Sequence, residues 1–303
     1  METLIPRKMN EMPNRANHYR IFRKIAPNWD FDLHVHTNWS IDASSGATIE
    51  KYAQLSEKYK IHIGFADHYE LACFEKSHIN TRNSILNPET LSEYLEEIDS
   101  AKEHYKHISS GLELEYYPER EDQLQNFLED YQNEFDLIVG SAHEIEDFRA
   151  ITVLRDLQWL VEKHGSFSKV LGKYFDKLHK LIHSQLFDVV AHPDVIFRFL
   201  TNHHIWFTPE YRQYFPTIEL GHLVRNSNML YEINLSGLYY PWKESFPNLD
   251  MFHHLLANDI PFSIGSDCHS LKQFEERILE IRKINFINRN EWKYHKIFSN
   301  DDF

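Results

Sequence analysis

Apolar positions along the chain follow two alternating periods. Short apolar runs bounded by polar or turn residues read as strands, and between them lie windows with apolar residues three and four apart, which read as helices. The first run lies in residues 31–45, FDLHVHTNWSIDASS. Successive side chains of a strand point to opposite faces, so Leu33 and Val35 share an apolar face while His34 and His36 share the other.

Residues 47–60 then form a helical pattern through Ile49, Tyr52, Ala53, Ser56 and Tyr59, and the strand IHIGFA ends in Asp67 and His68. Asn87-Pro88 is a cap and first-turn pair for a helix bearing Leu91, Leu95, Ile98 and Tyr105 on one face. A strand over residues 108–116 places Glu113 and Glu115 opposite Leu112 and Leu114. Pro118 opens a helix to about Gln132, and FDLIVGSAH is a buried strand ending at His143. Residues 144–164 mix charge with aromatics and read as a lid or an inserted helix, whereas residues 167–184 are plainly amphipathic. FDVVA ends in His192, Pro193 and Asp194. Thr208-Pro209 starts a helix to about Arg225, followed by the strand MLYEIN, the turn SGLYYP and a helix over 250–258. IPFSIGS ends in Asp267, Cys268 and His269, and a last helix covers 271–283.

This βα alternation, with about seven strands, short connections and no compositional break, predicts an α/β fold built as one closed or nearly closed parallel barrel. The expected organisation is a basic N-terminal extension over residues 1–29, the barrel over 30–285 and a polar, aromatic tail over 286–303. The chemically active candidates fall at the C-terminal strand ends, the face that carries catalysis in such barrels.

Composition narrows the class. The 303 residues and 42% apolar content suffice for one large core. Two cysteines, Cys73 and Cys268, do not make a disulfide framework and fit a reducing compartment, so the cytoplasm is the expected location. No apolar run is long enough to span a membrane, and the leader lacks the apolar core of a secretory signal. A formal charge of −14 is a poor match for a nucleic-acid polymer and favours a small anionic substrate. With only 9 glycines, the chain carries no dinucleotide, P-loop or nucleophile-elbow motif.

The strand ends supply His34, His36, Asp42, His68, Glu113, His143, His192, Asp267 and His269. Imidazoles with carboxylates suit zinc, manganese or iron(II), and two or three divalent ions would use them all. Three carboxylates bring about −3 and three such ions about +6, which leaves a net positive cavity suited to a phosphate dianion.

The motifs HVH with Asp42, ADH, GLE, SAH, AHPD and SDCH, in this order, resemble the PHP (polymerase and histidinol phosphatase) superfamily of metal-dependent phosphoesterases over residues 30–283. AHPDVIFRF, YEINLSGLYYP and GSDCHS resemble its histidinol-phosphate phosphatase branch. The resemblance implies a distorted (β/α)7 TIM-like barrel and three metal positions: His34, His36, Glu113 and Asp267 for the first, Glu113, His143 and His192 for the second, and Asp42, His68 and His269 for the third. It further implies a phosphomonoesterase that hydrolyses a small phosphate ester with a metal-activated water, L-histidinol phosphate being the candidate substrate. Asp267, His269 and Glu113 are the candidate catalytic groups.

Arg198 and Arg149 are candidates for phosphate contacts, because a guanidinium matches two phosphate oxygens. Glu232 and Asn234 share a strand face and either reach substrate or orient ligands. Glu115 and Asp67 read as supporting carboxylates, Cys268 as a packed thiol, and His203-His204 and His253-His254 as surface pairs. Two other readings compete: a PHP-type phosphodiesterase or exonuclease acting on nucleotides or nucleic acid, and a non-catalytic metal-binding domain. The sequence does not specify the oligomeric state.

Overall fold

The computed structural model describes residues 20–73, 85–131, 133–146, 149–199, 215–241 and 243–291. Most of the N-terminal extension, the Thr208-Pro209 helix start, His203-His204, Trp206, Trp242 and the end of the tail lie outside the described residues.

The strands are β1 (Asp30–Val35), β2 (Ile61–Phe65), β3 (Asp67–His68), β4 (Ile108–Ser109), β5 (Gly111–Glu115), β6 (Leu137–Ser141), β7 (Val189–Val190), β8 (Leu230–Asn234) and β9 (Phe262–Gly265). They pair in parallel in two sheets, β1-β2-β4 and β3-β5-β6-β7-β8-β9. The expected second and third strands are thus each broken once, at Ala66 and at Ser110. The end of β1 also meets the segment after β9: the Asp267 N–H donates to the His34 carbonyl at 2.7 Å and the His36 N–H to that of Cys268 at 2.9 Å.

Helices cover the outside: α1 (Ile49–Tyr59), α2 (Leu91–His104), α3 (Glu121–Tyr131), α4 (Leu154–His164), α5 (Phe167–Ser184), α6 (Thr217–Asn226), α7 (Leu249–Ala257) and α8 (Leu271–Glu291). α1 buries Ile49, Tyr52, Ala53 and Ser56, and Tyr52 packs edge-on against Phe65 and Phe274. Ser166 caps α5 by accepting the Lys169 N–H. Asn285 of α8 accepts the Phe31 N–H and donates to the Phe31 carbonyl, fastening the last helix to the first strand. Gly111 lets β5 approach its neighbours: a Cβ there would sit 2.5 Å from the Phe65 carbonyl oxygen and 2.7 Å from that of Leu137.

Three element boundaries differ from expectation. α2 starts at Leu91 after Thr90, because the Asn87 carboxamide is used in the preceding turn, accepting the Glu89 N–H at 2.8 Å. α6 starts at Thr217, directly after Pro216; the residue before a proline is disfavoured in helical conformation, so a helix arriving from residue 208 would break there. α8 continues to Glu291, past the expected helix end at 283, burying Ile284, Asn285 and Asn288 on the way. Residues 144–164 resolve into an irregular stretch and α4, an inserted helix that packs on α5. Among the described residues no helix is long and apolar enough to cross a membrane.

Candidate metal centre

Seven of the nine sequence-predicted metal ligands, Asp42, His68, Glu113, His143, His192, Asp267 and His269, line one cavity of about 550 Å³, and the other two, His34 and His36, are buried beside Glu113. β1 brings His34, with His36 just past its end, and their Nε2 atoms lie 3.0 Å apart. Glu113 of β5 lies between two groups of imidazoles. Its Oε2 is 3.5 Å from His34 Nε2, 3.7 Å from His36 Nε2 and 2.9 Å from His68 Nδ1. Its Oε1 is 3.2 Å from His192 Nε2 and 3.5 Å from His143 Nε2, which are 3.3 Å from each other. Asp267 Oδ1 lies 3.2 Å from His36 Nε2 and 4.0 Å from His34 Nε2. At the cavity mouth Asp42 Oδ2 lies 3.1 Å from His269 Nε2 and 3.6 Å from His68 Nε2.

Three sets of donor atoms are close enough to converge on one ion each: His34, His36 and Glu113; Glu113, His143 and His192; and His36, His68 and His269. The second holds the residues expected there, whereas the first lacks the expected Asp267 and the third the expected Asp42. In the third, His36 joins His68 and His269, its ring 4.4 Å and 4.1 Å from theirs, so His36 stands between two positions.

A ring of partners fixes the ligands. Glu232 Oε1 meets His34 Nδ1 at 2.6 Å, and Oε2 accepts the His192 N–H at 2.7 Å and the Asn234 amide at 3.0 Å. Asn234 also donates to Asp267 Oδ2 at 3.3 Å, so the buried Glu232 and Asn234 bond to three of the candidate ligands, His34, His192 and Asp267. Ser40 Oγ is 3.1 Å from His36 Nδ1, donates to Asp67 Oδ1 at 2.8 Å and accepts the His68 N–H at 3.0 Å. Glu115 Oε2 accepts the His143 N–H at 2.7 Å and stands 3.2 Å from its Nδ1. Two ligands, His192 (φ 25°) and Asp267 (φ 54°), have left-handed backbones, a conformation costing about 1–3 kcal/mol in a non-glycine residue and held here by the hydrogen bonds to Glu232 and His34.

The electrostatics follow from burial and from facing charges. Burial would raise the Glu113 carboxyl, but the imidazoles of His68, His143 and His34 outweigh it and hold the group well below the usual carboxylate range. Asp267 is likewise held low, against its burial, by the His36 contact and by His34 and His269. Burial, reinforced by His269 and His68, lowers the His36 imidazole to about 3, so it stays neutral with a lone pair to offer. Burial would lower the imidazoles of His34, His68, His143 and His269, but the facing carboxylates outweigh it and raise them. With nitrogens 3.0–3.3 Å apart beside ionised carboxylates, the residue types form a set that fits zinc, manganese or iron(II), which would take the place of the imidazole protons.

Of the other candidates, Arg198 lines the cavity, lies over the Tyr240 ring and donates to its hydroxyl. Arg149 is not among the lining residues: it pairs with Asp156 at 2.9 Å and lies over the Trp159 ring. Cys268 is fully buried. The sequence reading passed over Arg277, Gln273 and Tyr239, which line the cavity, and Lys177, which bonds Glu115 behind it. Lys177 was legible as a lysine within the apolar stripe of α5, between Tyr174 and Leu181.

The chain is 24% identical to the histidinol-phosphatase of Bacillus subtilis (strain 168) over 257 residues, 78% of this chain and 92% of that one. Among solved structures it resembles a Listeria monocytogenes protein assigned as a histidinol phosphatase, with TM-score 0.69, 20% identity and coverage of 80% of this chain and 96% of that one. It also resembles the histidinol phosphate phosphatase of Lactococcus lactis, solved with zinc, L-histidinol and phosphate, with TM-score 0.60, 16% identity and coverage of 85% and 92%. The model of the PHP domain matches residues 32–236, and the chain belongs to that family.

Proposed function

We propose that the protein is a metal-dependent phosphomonoesterase that hydrolyses a small phosphate ester, with L-histidinol phosphate as the first candidate. The observation that carries this reading is Glu113, whose two carboxylate oxygens face two separate imidazole groups on the wall of one cavity. Such a carboxylate can bridge two ions, held by His34, His36 and Asp267 on one side and by His143 and His192 on the other. A third position is formed by His68 and His269 with Asp42, so the reading takes two or three ions of zinc, manganese or iron. When bound, these ions would activate water and neutralise charge on the phosphoryl oxygens.

The chain's own residues then have separable tasks. Arg198, held against Tyr240, presents a guanidinium to the phosphate. Arg149 is already engaged by Asp156, so it is left out of phosphate binding. His269, on the cavity wall, is assigned the proton delivered to the departing alcohol, with the ionised Asp267 3.7 Å from its Nδ1. Products are the alcohol and inorganic phosphate, and no covalent intermediate with the protein is required. The relatives named histidinol phosphatase support the substrate, and the zinc in the Lactococcus lactis structure supports the metal.

The test is phosphate release from L-histidinol phosphate, nucleoside monophosphates and oligonucleotides by chelated protein, with zinc, manganese and iron(II) returned one at a time. Metal-restored turnover of the small ester is expected. Full activity in chelated protein, or turnover confined to oligonucleotides, would overturn the reading.

A further inference from the structure

Lys177 is a cation inside the protein. It lies on the inward face of α5 at 6% exposure, where an ammonium group is stable only if it is paired and hydrogen-bonded. Its Nζ donates to Glu115 Oε1 at 2.5 Å and also to the Glu144 carbonyl, and it lies 4.9 Å from the centre of the Tyr117 ring. Glu115, at 5% exposure, uses the remainder of its carboxylate on the same turn: Oε1 accepts the Glu144 N–H at 3.1 Å and Oε2 the His143 N–H at 2.7 Å, with His143 Nδ1 at 3.2 Å. The opposite nitrogen of that ring, Nε2, faces His192 Nε2 and Glu113 Oε1.

We infer that Lys177 is the positioning residue of the Glu113, His143 and His192 metal position. It fixes the Glu115 carboxylate and the Glu144 carbonyl together, and through them the angle at which His143 presents Nε2. The inference rests on the metal-site reading given above. Helix α5 reaches the centre through the contact chain Lys177 to Glu115 to His143. An arginine could keep the charge, whereas a methionine of similar length keeps the packing and loses both donors.

The experiment titrates zinc into chelated wild type, K177M, K177R, E115Q and the K177M/E115Q double variant against a chromophoric competitor, with far-UV circular dichroism of each apo-protein as the fold control. K177M should weaken one zinc equivalent by about 10–100-fold, the usual cost of losing a partner behind a ligand, and leave the others unchanged. K177R should restore most of that affinity, and the double variant should bind no more weakly than E115Q, because Lys177 acts through Glu115. Wild-type loading in K177M, or fully additive losses in the double variant, would overturn the inference. If K177M does not fold, E115Q carries the test: it must weaken the same equivalent as H143A, and full loading of E115Q would sink the idea. Wild-type protein that takes up no zinc would instead overturn the metal-site reading itself.

Discussion

Glu232 and His34 meet at 2.6 Å through Oε1 and Nδ1, inside the protein and one layer behind the metal-facing atoms. The contact sets Nδ1 to donate to Glu232 and turns Nε2 toward His36 and Glu113. Because the other oxygen of Glu232 holds the His192 backbone, one carboxylate sets ligands on both sides of Glu113.

Replacing Glu232 by Gln keeps the size and removes the charge. Metal affinity should fall by about 10–100-fold with the fold retained, measured by competition with a chelator of known affinity and by thermal unfolding of the apo-protein. Unchanged affinity would exclude a ligand-orienting role.

Gly265 reaches the same contact from behind. An added Cβ would overlap the Glu232 carboxylate and come within 2.6 Å of His34 Cβ, so G265A must displace one or both. Metal loading should drop as it does in E232Q, whereas G172A, whose Cβ has nothing within 4 Å, should load normally. Equal loading of the two variants counts against the crowding described.

Arg198 is buried enough for burial to pull its pKa down, while Asp267 and Asp42 pull it up and keep a cation facing the cavity. Losing a charge-assisted hydrogen bond costs about 1.5–3 kcal/mol, so R198Q should reduce kcat/KM for the phosphate ester by roughly 10–100-fold. Zinc stoichiometry should not change. A variant with full kcat/KM would remove Arg198 from the phosphate site.

His62, in β2, is buried with Nε2 2.8 Å from Ser109 Oγ of the neighbouring β4. Burial, with His107 beside it, lowers its imidazole to about 3. In the unfolded chain the group titrates near 6.5, so below that value the unfolded state binds the extra proton and stability rises with pH. The contribution is complete above about pH 6.5 and is lost progressively toward pH 3. Apo-H62Q should therefore lose less of its thermal midpoint than apo-wild type between about pH 7 and about pH 5. Parallel midpoint curves would contradict this.

Legibility in the sequence followed the physics of each element. The period of two in FDLHVH separates ligand face from core face without any tertiary knowledge, and each later candidate sits where an apolar run stops. The breaks at Ala66 and Ser110 were invisible, because the apolar pattern continues across both while the pairing partner changes. Arg149 looked equivalent to Arg198 in the sequence; only the fold shows that Asp156, at the start of α4, meets it first. Lys177 carried a visible signal, a charge in an apolar stripe, but its partner lies 62 residues away on strand β5.

The division of the strands into two sheets gives the centre a mechanical role. His34 and, just past the strand end, His36 follow the three-stranded sheet, while Glu113 of β5, His143 after β6 and His192 after β7 follow the six-stranded one. The amides of His36 and Asp267 cross from β1 to the segment after β9 right beside the ligands. Cations bound there would act as rivets along that seam. Chelation should then speed amide exchange of His36 and Asp267 while Ile63, inside the three-stranded sheet, keeps its protection.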